Sequence, residues 1–275
     1  LAVDVWDQFN KNNEINNNAS GQLDEYYDNV FNFLTTYEPS RKFKFRLDYS
    51  NYWLDYDDSA NDFRDRTDNS VSAYVFYKIR PKTSVFLEYD FADISYDENS
   101  FFDSREHRYY AGVDWDMTAK TRGRAKFGMI EKDFDESSLD DEEGFSMEVQ
   151  AQHTFSPKRA LNLNLFRHYT ESTTGVSWAV MTTGADASLL QRFNAKWSGT
   201  LNFLYQRDVF EGDYTYAGET DEREDDLFQA GASVIFEPRD WLTFDLGYYY
   251  SVRDSNFSVF DFENNTVYIT VELVM

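Results

Sequence analysis

The stretch Val71-Ser-Ala-Tyr-Val-Phe-Tyr-Lys-Ile-Arg-Pro-Lys-Thr-Ser-Val-Phe-Leu-Glu-Tyr-Asp-Phe91 decides the fold class. Val71, Ala73, Val75, Tyr77 and Ile79 interleave with Ser72, Tyr74, Phe76 and Lys78. Beyond Pro81, Val85, Leu87, Tyr89 and Phe91 interleave with Phe86, Glu88 and Asp90. A period of two marks a strand whose faces meet different surroundings. Proline fixes φ and donates nothing to a ladder, so Arg80-Pro-Lys-Thr83 is a tight turn. The stretch is a hairpin of two long strands.

The same unit recurs along the chain. Pro39, Pro157 and Pro238 sit in similar short, polar segments, and Thr118-Ala-Lys-Thr-Arg-Gly123 and Asn194-Ala-Lys196 share their basic, turn-like chemistry. With Pro81 these centres fall near 40, 81, 120, 158, 195 and 238. Alternation on both flanks predicts strands over 1–10, 26–37, 42–53, 69–80, 84–94, 107–117 and 122–134. It continues over 144–155, 161–170, 178–193, 198–209, 227–236, 241–253 and 266–275. Longer acidic loops are expected at 11–25, 54–67, 95–106, 135–143, 171–177, 210–226 and 254–265.

Strands of this length exceed the globular mode of roughly five or six residues and match the about nine to eleven that a tilted strand needs to cross a bilayer. An even strand count, with short turns alternating with long loops, is the pattern of an outer-membrane barrel. The expected fold is therefore all-β: one antiparallel transmembrane barrel over 1–275, with 1–10 pairing with 266–275. A propeller would fit four short strands into each 40-residue repeat. A sandwich would bury two apolar faces, and a lipocalin-like barrel would use about eight strands.

Composition and charge agree. Aromatics reach 19%, which excludes disorder for most of the 275 residues. The net charge of −24 excludes a nucleic-acid partner, which needs clustered cations. The seven loops hold 30 of the 50 acids and five of the 26 bases, so the acidity belongs to one end of the molecule. Cysteine is absent, removing disulfides and thiolate chemistry, and Leu1-Ala-Val-Asp-Val5 already alternates like a strand. The start at Leu1 fits either a mature exported chain or a cytosolic one.

The chemistry-bearing residues assemble no catalytic or cofactor motif. His107, His153 and His168 lack metal-ligand spacing, and no nucleophile elbow or phosphate loop is present. His168 and Ser172 form one isolated candidate pair, outweighed by their reading as rim polar residues. The acidic runs 140–143 and 221–226 lack EF-hand spacing and read as solvated loop faces. No enzyme activity, metal or cofactor is expected.

With the apolar parity turned to lipid, the other parity lines the lumen. It carries Lys44, Arg46, Asp48, Lys78, Glu88, Asp90, Arg108, Asp114, Asp116, Arg124, Lys126, Glu148 and Glu272. Bases and acids are nearly balanced in this set, so no ring of one sign selects ions of the other. Tyr74, Phe76, Tyr110 and Tyr268 share that parity and are candidate platforms for sugars, while Tyr37, Trp53, Trp115, Trp197 and Trp241 suit interfacial girdles.

The run Tyr110-Ala-Gly-Val-Asp-Trp-Asp-Met-Thr-Ala-Lys-Thr-Arg-Gly123, with Phe127-Gly128 and Lys132-Asp-Phe134, resembles the putative β-barrel porin type 2 family. Tyr27-Asp-Asn-Val-Phe31 and Ser156-Pro-Lys-Arg159 are similar to other segments of it. The resemblance implies an outer-membrane barrel associated with exopolysaccharide or capsule production, without catalytic residues, and a segment preceding Leu1. Three roles follow as expectations: a conduit in exopolysaccharide export, a porin for small polar solutes, or a plugged barrel whose acidic loops bind a partner. The expected location is a Gram-negative outer membrane with both termini periplasmic. The expected partners are membrane lipid, lipopolysaccharide, a polysaccharide and periplasmic export components.

Overall fold

The computed structural model describes residues 1–15, 23–98, 100–118, 120–171 and 177–274. Fourteen strands follow one another: β1 (Ala2–Ile15), β2 (Leu23–Tyr37), β3 (Phe43–Tyr56), β4 (Arg66–Arg80), β5 (Thr83–Tyr96), β6 (Ser104–Thr118) and β7 (Thr121–Phe134). The second seven are β8 (Glu142–Ser156), β9 (Arg159–Thr170), β10 (Val180–Arg192), β11 (Trp197–Tyr216), β12 (Glu219–Arg239), β13 (Leu242–Ser255) and β14 (Phe262–Leu273). They form one sheet in chain order, each strand bonded to its sequence neighbours. Every expected strand is present, and so is the expected turn chemistry at Pro39 and Pro81, where the chain reverses between β2 and β3 and between β4 and β5.

Most strands overrun their expected ends on the acidic side, by up to eight residues in β12. The expected loop 210–226 is a strand pair, with its turn at Ala217 (φ 54°) and Gly218 (φ 91°) and a bulge between Phe210 and Asp213. Acids are poor strand formers, which is why the charge run reads as a loop. In the ladder its alternate members Arg223 and Asp225 turn inward and pair, while Asp221 and Glu222 stay in water. Of the other expected loops, 11–25 and 171–177 contain residues 16–22 and 172–176, which lie outside the described residues.

The remaining acidic connections cap themselves. Asp65 accepts the Tyr56 amide at 2.8 Å, Asp103 that of Tyr96 at 2.8 Å, Asp141 that of Phe134 at 3.0 Å and Asp261 that of Ser255 at 2.8 Å. Each carboxylate satisfies an amide at or beside the end of a strand, where no ladder partner remains. Adjacent loops are also joined: the Asp97 amide donates to the Asp65 carbonyl and the Asp135 amide to that of Asp103.

The chain forms two compact units: Leu1–Asp114 with Ala125–Met147 and His168–Val180, and Trp115–Arg124 with Glu148–Arg167 and Met181–Met275. Both are inside-out by the standards of a soluble protein. In the first, Leu87 is 65% exposed while Glu106 and Lys132 are 1% and 0% exposed. In the second, Ile269 is 72% exposed while Arg223 is 1% exposed. Small apolar clusters close the first unit, Tyr74 with Phe76 and Phe86, and Ile94 with Tyr96, Phe102, Leu139 and Trp178.

Among the described residues the bonded order runs from β1 to β14.

Candidate pore-lining face

The outward parity carries Phe43, Phe45, Leu47, Val71, Val75, Tyr77, Leu87 and Tyr89, all exposed. The opposite parity is the polar face expected from the sequence. In the first unit it places Lys44, Arg46 and Asp48 on β3, Lys78 on β4, Glu88 and Asp90 on β5, Arg108 and Asp114 on β6, and Lys126 on β7. In the second it places Asp116 on β6, Arg124 on β7, Glu148 on β8 and Glu272 on β14.

Several of these meet. Lys126 Nζ donates to Glu88 Oε1 at 2.5 Å across the intervening strand β6. Arg46 pairs with Asp48 two residues along its own strand, and Arg108 does the same with Glu106. Lys78 reaches Glu38 in the turn, at 3.7 Å, and Gln150 donates to Glu148 at 2.6 Å. Asp116 and Glu272 are exposed.

The tightest clusters combine residues that the sequence reading left in loops or outside the set. Lys132 lies between Glu106 at 3.0 Å and Glu171 at 2.5 Å, and the Tyr96 hydroxyl donates to Glu171 at 2.8 Å. Glu171 follows β9, yet it reaches β5 and β7. On the same face Arg66 pairs with Asp68 at 3.2 Å, and Arg64 with Asp24 at 3.4 Å. In the second unit Arg223 binds Asp225 and lies 3.4 Å from the Phe260 centroid and 4.2 Å from that of Phe210, with Arg253 3.6 Å from Asp225. The signal was present: Lys132 holds the parity of Lys126 within the expected strand 122–134, and extending the alternation of 107–117 by one residue recovers Glu106 with the parity of Arg108.

The proposed sugar platforms are occupied. Lys44 Nζ sits 3.9 Å from the Phe76 centroid, the Arg46 guanidinium 5.1 Å from Tyr74, and Lys126 Nζ 4.3 Å from Tyr110. Tyr110 also shares a 2.7 Å hydrogen bond with Ser146 and lies over Gly128, where a Cβ would fall 2.8 Å from its ring and 1.8 Å from the Tyr109 carbonyl. Tyr268 stacks on Tyr249 at 5.7 Å and covers Gly247. These rings brace the wall by cation–π contact and by shielding glycines.

His107 hydrogen-bonds the Tyr89 hydroxyl at 2.8 Å and His153 that of Thr121 at 2.8 Å. Ser172, the candidate partner of His168, lies outside the described residues. Among the described residues no group of three or more His, Cys, Asp or Glu side chains is arranged to hold a metal.

In each unit a paired-charge face backs an apolar one, the polarity of a sheet that meets lipid on one side. A sequence profile described as "Putative beta-barrel porin 2" matches residues 36–274. The chain belongs to this family. As a β-barrel porin 2 protein it is a porin-like barrel of the outer membrane. No curated protein matches the chain significantly. Among solved structures, the siderophore receptor PiuA from Acinetobacter baumannii is 13% identical, with a TM-score of 0.46 over 90% of this chain and 49% of the receptor. A triple mutant of Rhodopseudomonas blastica porin is 12% identical, with a TM-score of 0.38 over 98% of each chain. The chain spans about half the length of PiuA, and the family assignment rests on the profile match alone.

Proposed function

We propose that this barrel is a passive, weakly ion-selective conduit in the export or assembly of an exopolysaccharide, and that it performs no chemistry of its own. It works as a single barrel domain in a Gram-negative outer membrane, with both termini and the short basic turns on the periplasmic side. The observation that carries this reading is the pairing of charge on the polar face, from Glu88–Lys126 to the Glu106–Lys132–Glu171 group. A hydroxyl-rich polymer meets carboxylate, amide and hydroxyl partners there without a single-sign ring to trap it. Movement is driven by synthesis behind the polymer, with periplasmic export components as partners.

One observation favours a second reading. With Tyr74, Phe76 and Tyr110 each under a cation, three of the four candidate stacking platforms for a sugar chain are taken, which suits a porin for small polar solutes. Planar-bilayer conductance with and without oligosaccharide separates the two when combined with deletion. For the conduit, oligosaccharide blocks current transiently, and deletion leaves polymer in the periplasm while solute uptake stays normal. For the porin, deletion slows uptake of a small sugar and surface polymer is intact. If neither changes, the barrel is plugged and structural.

A further inference from the structure

We propose that the outer face of β2–β5 holds a seat for one acyl chain of an anionic phospholipid, whose phosphate rests on the bases of the two adjoining turns. A groove of about 460 Å³ runs over these strands, walled by Tyr37 and Phe45 on one side and Leu87 and Tyr89 on the other. That volume lies in the range of sites that hold a small ligand, roughly 300–1,000 Å³. Its floor is Ala73. Every other outward residue of β4 from Val71 to Ile79 is large, and Ala73 is paired across the ladder with Leu47 and Tyr89. One small side chain in a wall of large ones leaves a notch shaped for an alkyl segment.

The groove points to charge. Toward the turns the next outward row is Phe43, Tyr77 and Val85, and beyond it stand Arg41, Lys42, Arg80 and Lys82, all exposed. Lys42 Nζ lies 5.9 Å from the Tyr77 centroid, on the lipid side of the sheet. The acid of these turns, Glu38, is engaged with Lys78. From Ala73 to Tyr77 is four residues, about 13 Å at roughly 3.3 Å per residue, which an acyl chain spans. A phosphate without a compensating amine complements the cations, whereas a zwitterionic headgroup carries its own. The proposal rests on the membrane placement of this face and not on what the barrel conducts.

Native mass spectrometry of the refolded protein with added phosphatidylglycerol or phosphatidylcholine tests it. The protein should retain one phosphatidylglycerol preferentially. Ala73→Phe fills the notch and should lower its retention about tenfold, the loss of roughly two buried methylenes. Replacing Arg41 and Lys42 together by Ser should erase the preference for phosphatidylglycerol over phosphatidylcholine. Ala73→Leu gives the same readout if the Phe variant does not fold. Unchanged retention in a folded Ala73 variant overturns the proposal. So does a dimer mass that the variant abolishes, because a second copy then occupies the groove. Conductance should match wild type in every variant, so failure here leaves the conduit reading untouched.

Discussion

Asp65 Oδ1 accepts the backbone amide of Tyr56 at 2.8 Å, tying the loop between β3 and β4 to its own strand. The Asp65 carbonyl then receives the Asp97 amide at 2.9 Å, so one residue fastens two loops. Asp103 repeats both bonds with Tyr96 and Asp135. Part of the acidity at this end therefore holds backbone together, beyond keeping the surface hydrated.

The relation makes the loops sensitive to pH. Burial, with Asp55, Asp62 and Asp97 adding, pushes the Asp65 carboxyl up to about 6, against about 3.9 in a free chain. The folded loop thus binds the proton more tightly. Its stabilisation is complete below about pH 4 and is lost as pH rises through about 6. Asp103 is raised too, by burial and by Asp135 and Asp93. Hydrogen exchange of the 57–65 segment, corrected for intrinsic rates, should show protection falling between pH 4 and 7. Asp65→Asn should flatten that dependence, and an unchanged slope in this variant would count against the account.

Lys132 is fully buried between two carboxylates. Lys132→Met leaves Glu106 and Glu171 facing each other and should cost about 3–5 kcal/mol. Adding Glu171→Gln should recover part of the loss, since one of the stranded charges is gone. Urea midpoints of the two variants in liposomes give the comparison, and equal midpoints would mean that Glu171 is not coupled to Lys132.

Neighbouring residues on β14 test the two faces. Ile269 lies opposite Leu246 on the outer side, and Thr270 lies opposite Asp245 on the inner side. Ile269→Arg puts a cation into lipid at about 2–4 kcal/mol near the midplane. Thr270→Arg sets one beside a carboxylate whose Oδ1 has no hydrogen-bond partner. Folding yields in liposomes should fall for the first alone, and equal yields would show the parity to be reversed.

Orientation has its own test. Protease added to intact cells should cut at the Ala217–Gly218 turn and spare the turn between β8 and β9, Pro157–Lys158. Cutting at Ala217–Gly218 only after the outer membrane is breached would place the acidic end in the periplasm.

Strand number, chain order and face parity were legible in the sequence because each depends on local alternation and on turns such as Arg80-Pro-Lys-Thr83. Strand ends were not. Arg223 and Asp225 read as members of a hydrated charge run, because the pairing that makes them strand residues is a tertiary fact. Glu171 was out of reach for the same reason, since its partners Tyr96 and Lys132 lie 75 and 39 positions away. The cations over Phe76, Tyr74 and Tyr110 were out of reach on a related point. Parity shows which way a ring faces but not that a lysine or arginine already lies across it.

The β11–β12 hairpin outgrows its neighbour. Its ladder with β13 ends where Asp225 meets Ser255, yet β12 begins at Glu219. Six residues stand beyond that point, about 20 Å at roughly 3.3 Å each. A foreign epitope spliced between Ala217 and Gly218 would ride at the tip of this spur, touching no ladder of β13. With the acidic end outside, as proposed above, that tip would be a display position for labelling the living cell without disturbing the wall below.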